Sequence, residues 1–249
     1  MKKKIITVCL FICIFLVVYL FLAHYFIYKR IGDVSLKPSD IKGEYLINSK
    51  TVSEKKIVYT ALGDSLTAGV GILKYEDSFP YQLAQNISDS NTANVVLLDR
   101  AYPGAKTSDL IKNLLTTTIN DNPDVITLLV GVNDIHNNVS KNEFAKNYAE
   151  ILKQLKEGTK AKIFVINLPY LGADSLLLPP YNFYFNYQTK EYNKIIKKLA
   201  QENNVEYVDL YTSTQSMFKD PVLYSPDLFH PSAKGYKLWS EIIYANFHN

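Results

Sequence analysis

Apolar and polar positions divide the chain into three stretches with different patterns. From residue 5 to residue 28 no formally charged side chain interrupts a run rich in Ile, Leu, Val and Phe. As a helix at ~1.5 Å per residue, this run reaches about 36 Å, enough to cross a ~30 Å hydrocarbon core. A soluble core helix of that length would carry a polar face, and none is visible. Residues 31–55 are polar, with Lys37, Pro38, Ser39, Asp40, Gly43 and Ser49 and no sustained period, which predicts a linker. Beyond it, short apolar runs alternate with longer amphipathic ones. Residues 57–62 (IVYTAL), 95–98 (VVLL), 125–130 (VITLLV), 163–167 (IFVIN) and 205–210 (VEYVDL) predict five strands, the first four covered on both faces. Helical patterns fall at 80–86, 108–118, 142–157, 189–203 and 232–247. In 189–203, Tyr192, Ile195, Ile196 and Leu199 stand at i, i+3, i+4 and i+7, and the lysines include solvated positions. Strand–helix alternation implies parallel strands joined by right-handed crossovers. The expected fold is α/β: a three-layer α/β/α sandwich around a five-stranded parallel, doubly wound sheet over 56–249, preceded by one transmembrane helix within 1–30.

Charge sharpens this division. The net formal charge is +3, yet five of the 27 basic residues (Lys2, Lys3, Lys4, Lys29 and Arg30) lie in 1–30 and all 24 acidic residues lie beyond, so residues 31–249 carry 22 basic against 24 acidic. No basic stripe remains for nucleic acid, which is not an expected partner. Lys2, Lys3 and Lys4 resemble the start of a signal peptide, but the apolar run exceeds the ~7–15 residues of such segments and no A-x-A-like site follows. An uncleaved, single-pass membrane anchor is therefore expected. Three lysines and the terminal amine outweigh Lys29 and Arg30, which favours the N-terminus inside and the domain on the extracytoplasmic side of the cell membrane. Residues 31–249 are then expected to form a soluble, active unit without the anchor. Both cysteines, Cys9 and Cys13, lie in the apolar run, so the domain holds no disulfide.

In doubly wound sheets, binding sites form at the carboxyl ends of the strands. There the first predicted strand runs into Gly63-Asp64-Ser65-Leu66-Thr67, with Gly69 and Gly71 following. A lone serine in a turn is as readily a helix N-cap as a nucleophile. Its company favours the second role. The third strand ends in Gly131-Val132-Asn133-Asp134, which offers an amide donor. Gly104 follows the second strand and can present its N–H unobstructed. Asp227-Leu228-Phe229-His230 spaces a carboxylate one turn from an imidazole, which can fix its tautomer. Nucleophile, base, orienting acid and oxyanion donors are the parts that acyl transfer needs.

In these residues the chain resembles the SGNH (GDSL) hydrolases over roughly 56–249. Gly-Asp-Ser-Leu stands at 63–66, Gly-x-Asn-Asp at 131–134 and Asp-x-x-His at 227–230. The resemblance implies a flavodoxin-like sandwich and ester hydrolysis. It makes Ser65 the nucleophile, His230 and Asp227 its triad partners, and the Ser65 N–H, the Gly104 N–H and the Asn133 side chain the oxyanion hole. The second block departs from the family pattern, with Asp99 in place of an Asn and Pro103 where Ser often precedes the glycine. The α/β-hydrolase elbow G-x-S-x-G fits less well, because Thr67 stands where its second Gly belongs. His136 is a second candidate base or a surface histidine, His24 lies near the end of the apolar run, and His248 is in the terminal tail. No His-Glu-x-x-His, cysteine-pair or phosphate-loop pattern appears, so no metal or other cofactor is expected.

Between the fourth strand and the next helix, residues 169–188 form an insertion rich in Leu, Pro, Tyr and Phe. Leu177, Tyr181, Phe183 and Phe185 are its candidate substrate-binding residues, as an acyl-chain pocket, a lid or a bilayer contact; packing over the sheet edge is the competing assignment. With the anchor, this favours a membrane-bound serine lipase or acylhydrolase acting on lipid esters. Acylated envelope carbohydrate is the alternative substrate. A catalytically silent envelope-binding module is a third reading, against which intact Ser65, Asp227 and His230 argue.

Overall fold

In the computed structural model, which describes residues 2–39 and 42–247, all five predicted strands join one sheet. Asp40 and His248 lie outside the described residues. Strands β1 (Glu44–Ile47), β2 (Lys56–Gly63), β3 (Asn94–Ala101), β4 (Val125–Leu129), β5 (Lys162–Ile166) and β6 (Glu206–Val208) run in the order β1-β3-β2-β4-β5-β6. β2 to β6 are mutually parallel, as expected. β1 is a sixth strand, antiparallel to β3, with Glu44 opposite Leu98 and Ile47 opposite Val95. The stretch 31–55 is therefore not all linker. Four residues on a sheet edge, with Leu46 exposed and only Ile47 buried, are too short a run to display a period.

The helices are α1 (Lys2–Val34), α2 (Phe79–Asn91), α3 (Thr107–Asn113), α4 (Leu115–Asn120), α5 (Val132–His136), α6 (Lys141–Gly158), α7 (Tyr181–Glu202), α8 (Leu210–Thr214) and α9 (Ala233–Ala245). Ser78, Ser140 and Ser232 cap α2, α6 and α9 by accepting the N–H three residues on. The helix expected over 108–118 is split between α3 and α4, and that expected from 189 begins at Tyr181. The second half of the insertion is thus the first two turns of α7, directly after Pro179 and Pro180. α2 packs on α9, while α6 packs on α3, α4 and α7, giving a helical layer on each face of the sheet. The last five residues of β2 are buried, as are Leu128, Leu129, Phe164 and Val165, which accounts for the unbroken apolar runs of these strands.

α1 is long and apolar enough to cross a membrane. Only Ala23 and Ile27 of its residues are buried. Tyr19 and Ile31 are half-buried, so positions 19, 23, 27 and 31 trace one face turned toward the domain. The Tyr19 hydroxyl donates to the Pro179 carbonyl at 2.6 Å, and the Tyr181 hydroxyl donates to the Leu20 carbonyl at 3.1 Å.

Candidate active site

Three neighbouring strands, β3, β2 and β4, deliver their carboxyl ends to one edge of the sheet, and strand order reverses between β2 and β4. β2 leads into a tight turn in which the N–H groups of Thr67 and Ala68 both donate to the Asp64 carbonyl, and the Leu66 N–H donates to the Asp64 carboxylate at 3.0 Å. Burial pushes the Asp64 carboxyl up to about 7, against the opposing pull of the Leu66 N–H. The loops after β3 and β4 are tied together. Asn133 Nδ2 donates to the Ala105 carbonyl at 3.1 Å, and the Asp134 carboxylate accepts from the Thr107 N–H at 3.0 Å and hydroxyl at 2.5 Å. Among the described residues, neither the Ser65 N–H nor the Gly104 N–H has an acceptor. Gly104 has φ +88 and open space where a Cβ would stand, so its backbone angle, not crowding, calls for glycine.

A turn before α9 closes the site. The Ser225 N–H donates to the His230 carbonyl and the Leu228 N–H to that of Ser225, with Leu228 held at φ +62. A leucine in this region costs of order 1–3 kcal/mol, supported here by the bonds on either side. The turn rests on Gly71, φ +110, where a Cβ would fall 2.4 Å from the Pro231 carbonyl oxygen and 2.9 Å from the His230 Cβ. Only glycine permits that approach, which sets His230 Nε2 3.1 Å from Ser65 Oγ. His230 Nδ1 lies 2.7 Å from Asp227 Oδ2. Asp227 Oδ1 accepts from the Ser225 hydroxyl and the N–H groups of Phe229 and His230, and Oδ2 also accepts from the Ser35 hydroxyl at 2.6 Å. Burial alone would raise the Asp227 carboxyl, but the hydrogen bond and charge of His230, with Ser35 and Ser225, outweigh it and hold the group well below the usual carboxylate range. An ionised carboxylate, an imidazole and a hydroxyl in line can move a proton from oxygen to nitrogen.

Residues 61–238 match the profile of the GDSL-like lipase/acylhydrolase family. The chain belongs to that family. It is a GDSL-type esterase/lipase, acting on ester bonds. A curated relative, the spore germination lipase LipC of Bacillus licheniformis, is 27% identical over 207 residues, covering 74% of this chain and 92% of that one. Among solved structures, a lipase/acylhydrolase from Enterococcus faecalis superposes with a TM-score of 0.61 at 22% identity, covering 76% of this chain and 94% of its own. The acetylxylan esterase Axe2 from Geobacillus stearothermophilus gives 0.62 at 16% identity, covering 82% and 96%. Both share the fold.

In this GDSL chain the expected residues meet at a cavity of about 750 Å³, which Ser65, Gly104, Asn133 and His230 line, with Asp227 behind His230. Tyr181 and Phe185 line it too, one turn apart on the same face of α7. Phe183, between them, points away and is exposed, and Leu177 is packed in the core beside Gly172. These two are not brought to the site. His136 opens onto the cavity, its ring stacked on Phe185 at 5.0 Å and edge-on to Phe229 at 5.6 Å. Asp99, which departs from the family pattern, is buried beneath the second loop and accepts the Ala101 N–H at 3.1 Å. Sequence reading missed the contribution of α1 and the residue that follows it: Ile27, Tyr28, Ile31 and Ser35 also line the cavity. The available signal was length, since the apolar run outlasts the ~20 residues a crossing needs. Nothing in the sequence marks Ser35.

Proposed function

We propose that this GDSL enzyme is a membrane-anchored serine ester hydrolase of lipase type. The single observation that carries this reading is the hydrogen-bonded line Ser65–His230–Asp227 opening onto a largely apolar cavity. Ser65 Oγ attacks the ester carbonyl carbon while its proton passes to His230 Nε2. The oxyanion formed meets the free N–H groups of Ser65 and Gly104 and the Asn133 amide, of which one N–H is already given to Ala105. As the C–O bond breaks, the leaving alcohol takes the proton from His230 and an acyl-Ser65 ester remains. Water, deprotonated by the same imidazole, hydrolyses it and returns the proton to Ser65. Asp227 holds the imidazole in orientation and stabilises its positive charge. α1 serves as the anchor, with the site outside the cytoplasmic membrane. Its length and apolarity, and the exposed Leu178, Phe183, Tyr184 and Tyr187 at and just before the start of α7, the helix that carries Tyr181 and Phe185, support this and favour lipid esters.

The test is hydrolysis of p-nitrophenyl esters, acetyl through palmitoyl, by the full chain in detergent and by its Ser65→Ala variant. Serine-dependent turnover fastest on medium or long chains is expected. Turnover confined to acetyl would replace the lipid by an O-acetylated carbohydrate, and turnover unaffected by Ser65→Ala would overturn the mechanism.

A further inference from the structure

α1 has 33 residues, where about 20 suffice to cross a bilayer. The surplus does not trail into solvent. Ala23 and Ile27 are its buried residues, and Ile27 and Ile31 line the cavity that holds Ser65. Directly after the helix, which ends at Val34, the Ser35 hydroxyl reaches the Asp227 carboxylate, so one continuous stretch of chain touches both the apolar wall and the acid of the site. From α7, Tyr181 and Phe185 line the same cavity. The two sides are joined by the hydroxyl bonds of Tyr19 and Tyr181 to the carbonyls of Pro179 and Leu20.

Tyr19 and Leu20 lie inside the uncharged run 5–28. At ~1.5 Å per residue Leu20 lies about 24 Å beyond Lys4, so whatever bonds to these residues sits in the outer part of the ~30 Å hydrocarbon core, just below the boundary where tyrosine rings accumulate. The start of α7 is thereby placed at the membrane surface, with Phe183, Tyr184 and Tyr187 exposed. In water such an apron is a liability; against a bilayer it is buried. We infer that the end of the anchor helix is the specificity-determining wall of the ester site, and that the acyl chain of a membrane lipid lies between Ile27 and Ile31 on one side and Tyr181 and Phe185 on the other, entering from the bilayer that holds the helix. This rests on the reading of Ser65 as an esterase nucleophile. It also changes the expectation that residues 31–249 act unaided, because that fragment lacks Ile27.

The test uses the full chain reconstituted in phosphatidylcholine vesicles, with p-nitrophenyl acetate and p-nitrophenyl laurate as probes. Ile27→Trp, which fills the wall, is expected to lower kcat/KM on laurate at least 10-fold more than on acetate, and Val17→Trp on the exposed part of the helix changes neither. Laurate dissolved in the enzyme's own vesicles should be hydrolysed at least 10-fold faster than laurate supplied in separate vesicles. Equal effects of Ile27→Trp on both esters, or equal rates for both presentations, overturn the inference while leaving the esterase reading standing. Absence of Ser65-dependent turnover in the wild type overturns the esterase reading and the inference with it. Should Ile27→Trp fail to fold, Ile27→Ala decides: a shift of preference toward longer chains supports the wall, and an unchanged profile refutes it.

Discussion

Ser65 and Gly104, on loops, and Asn133, in the short α5, stand just past the ends of three adjacent strands, whereas Ile27, Tyr28 and Tyr181 stand on two long helices that meet the cavity from distant parts of the chain. The floor is held by the sheet ladder beneath it and by carboxylates that pin one loop to the next, as Asp134 does with Thr107. The wall is held by two tyrosine hydroxyls, Ser35 and apolar contact. The proton transfer proposed above requires atoms placed to a few tenths of an ångström, so the residues proposed for it belong on the rigid part. An acyl chain requires only a non-polar surface, which a helix end and an insertion can supply and vary without disturbing the chemistry.

The largest effect that tests this division is Ser65→Ala, expected to lower kcat by ~10⁴-fold or more with the circular-dichroism spectrum unchanged. A variant that keeps its activity would leave no catalytic floor to compare. Asn133→Ala should cost ~10²–10³-fold in kcat with little change in KM, the signature of a group that binds the developing oxyanion. A loss confined to KM would move Asn133 to the binding side.

Asp99 probes the support beneath the floor. Burial pushes its carboxyl from 3.8 up to about 7, against the Ala101 N–H, the Tyr75 hydroxyl and Arg100. Between those values the folded chain keeps a proton that the unfolded chain has released, so stability falls as pH rises across this window and stays lower above it. Asp99→Asn, which keeps an acceptor for Ala101 but cannot ionise, should raise stability by ~2–4 kcal/mol at pH 8 and leave it unchanged near pH 3.5, as read from urea unfolding in detergent. Equal stabilities of the two proteins at pH 8 would show that the carboxyl's burial is not the controlling cost.

The smallest effect concerns the joint between wall and floor. Ser35→Ala removes one of five donors to Asp227 and should lower kcat about 10-fold, from a charge-assisted bond worth ~1.5–3 kcal/mol, with recovery in Ser35→Thr. An unchanged kcat would separate the helix from the acid and confine it to the wall.

Much of the floor was legible because its residues come in contiguous blocks. Ser65 follows its strand by two residues, and Asp227 and His230 share one turn, so spacing carried the information. Four of the five parallel strands were legible because burial on both faces demands uninterrupted apolar runs, and the fifth, β6 at the sheet edge, as a short stretch rich in β-branched residues. β1 was not, since a four-residue edge strand exists only through its pairing with β3. Leu177 and Phe183 were chosen for composition. Their fate depended on where α7 starts and which of its faces meets the cavity, and residues 181 and 185 share that face while 183 does not.

By itself the sequence determined the α/β alternation, the helix long enough to cross a membrane and the identities of the residues that meet at the strand ends, because each depends on local periodicity or on short motifs. Tertiary structure alone decided that Ser35 and Ile27 belong to the same cavity as Ser65, and that Gly71 is the seat for His230. Those relations join segments far apart in the chain. The contact energy that selects them arises only once the sheet has brought both partners to one edge, and no pattern in either segment records it.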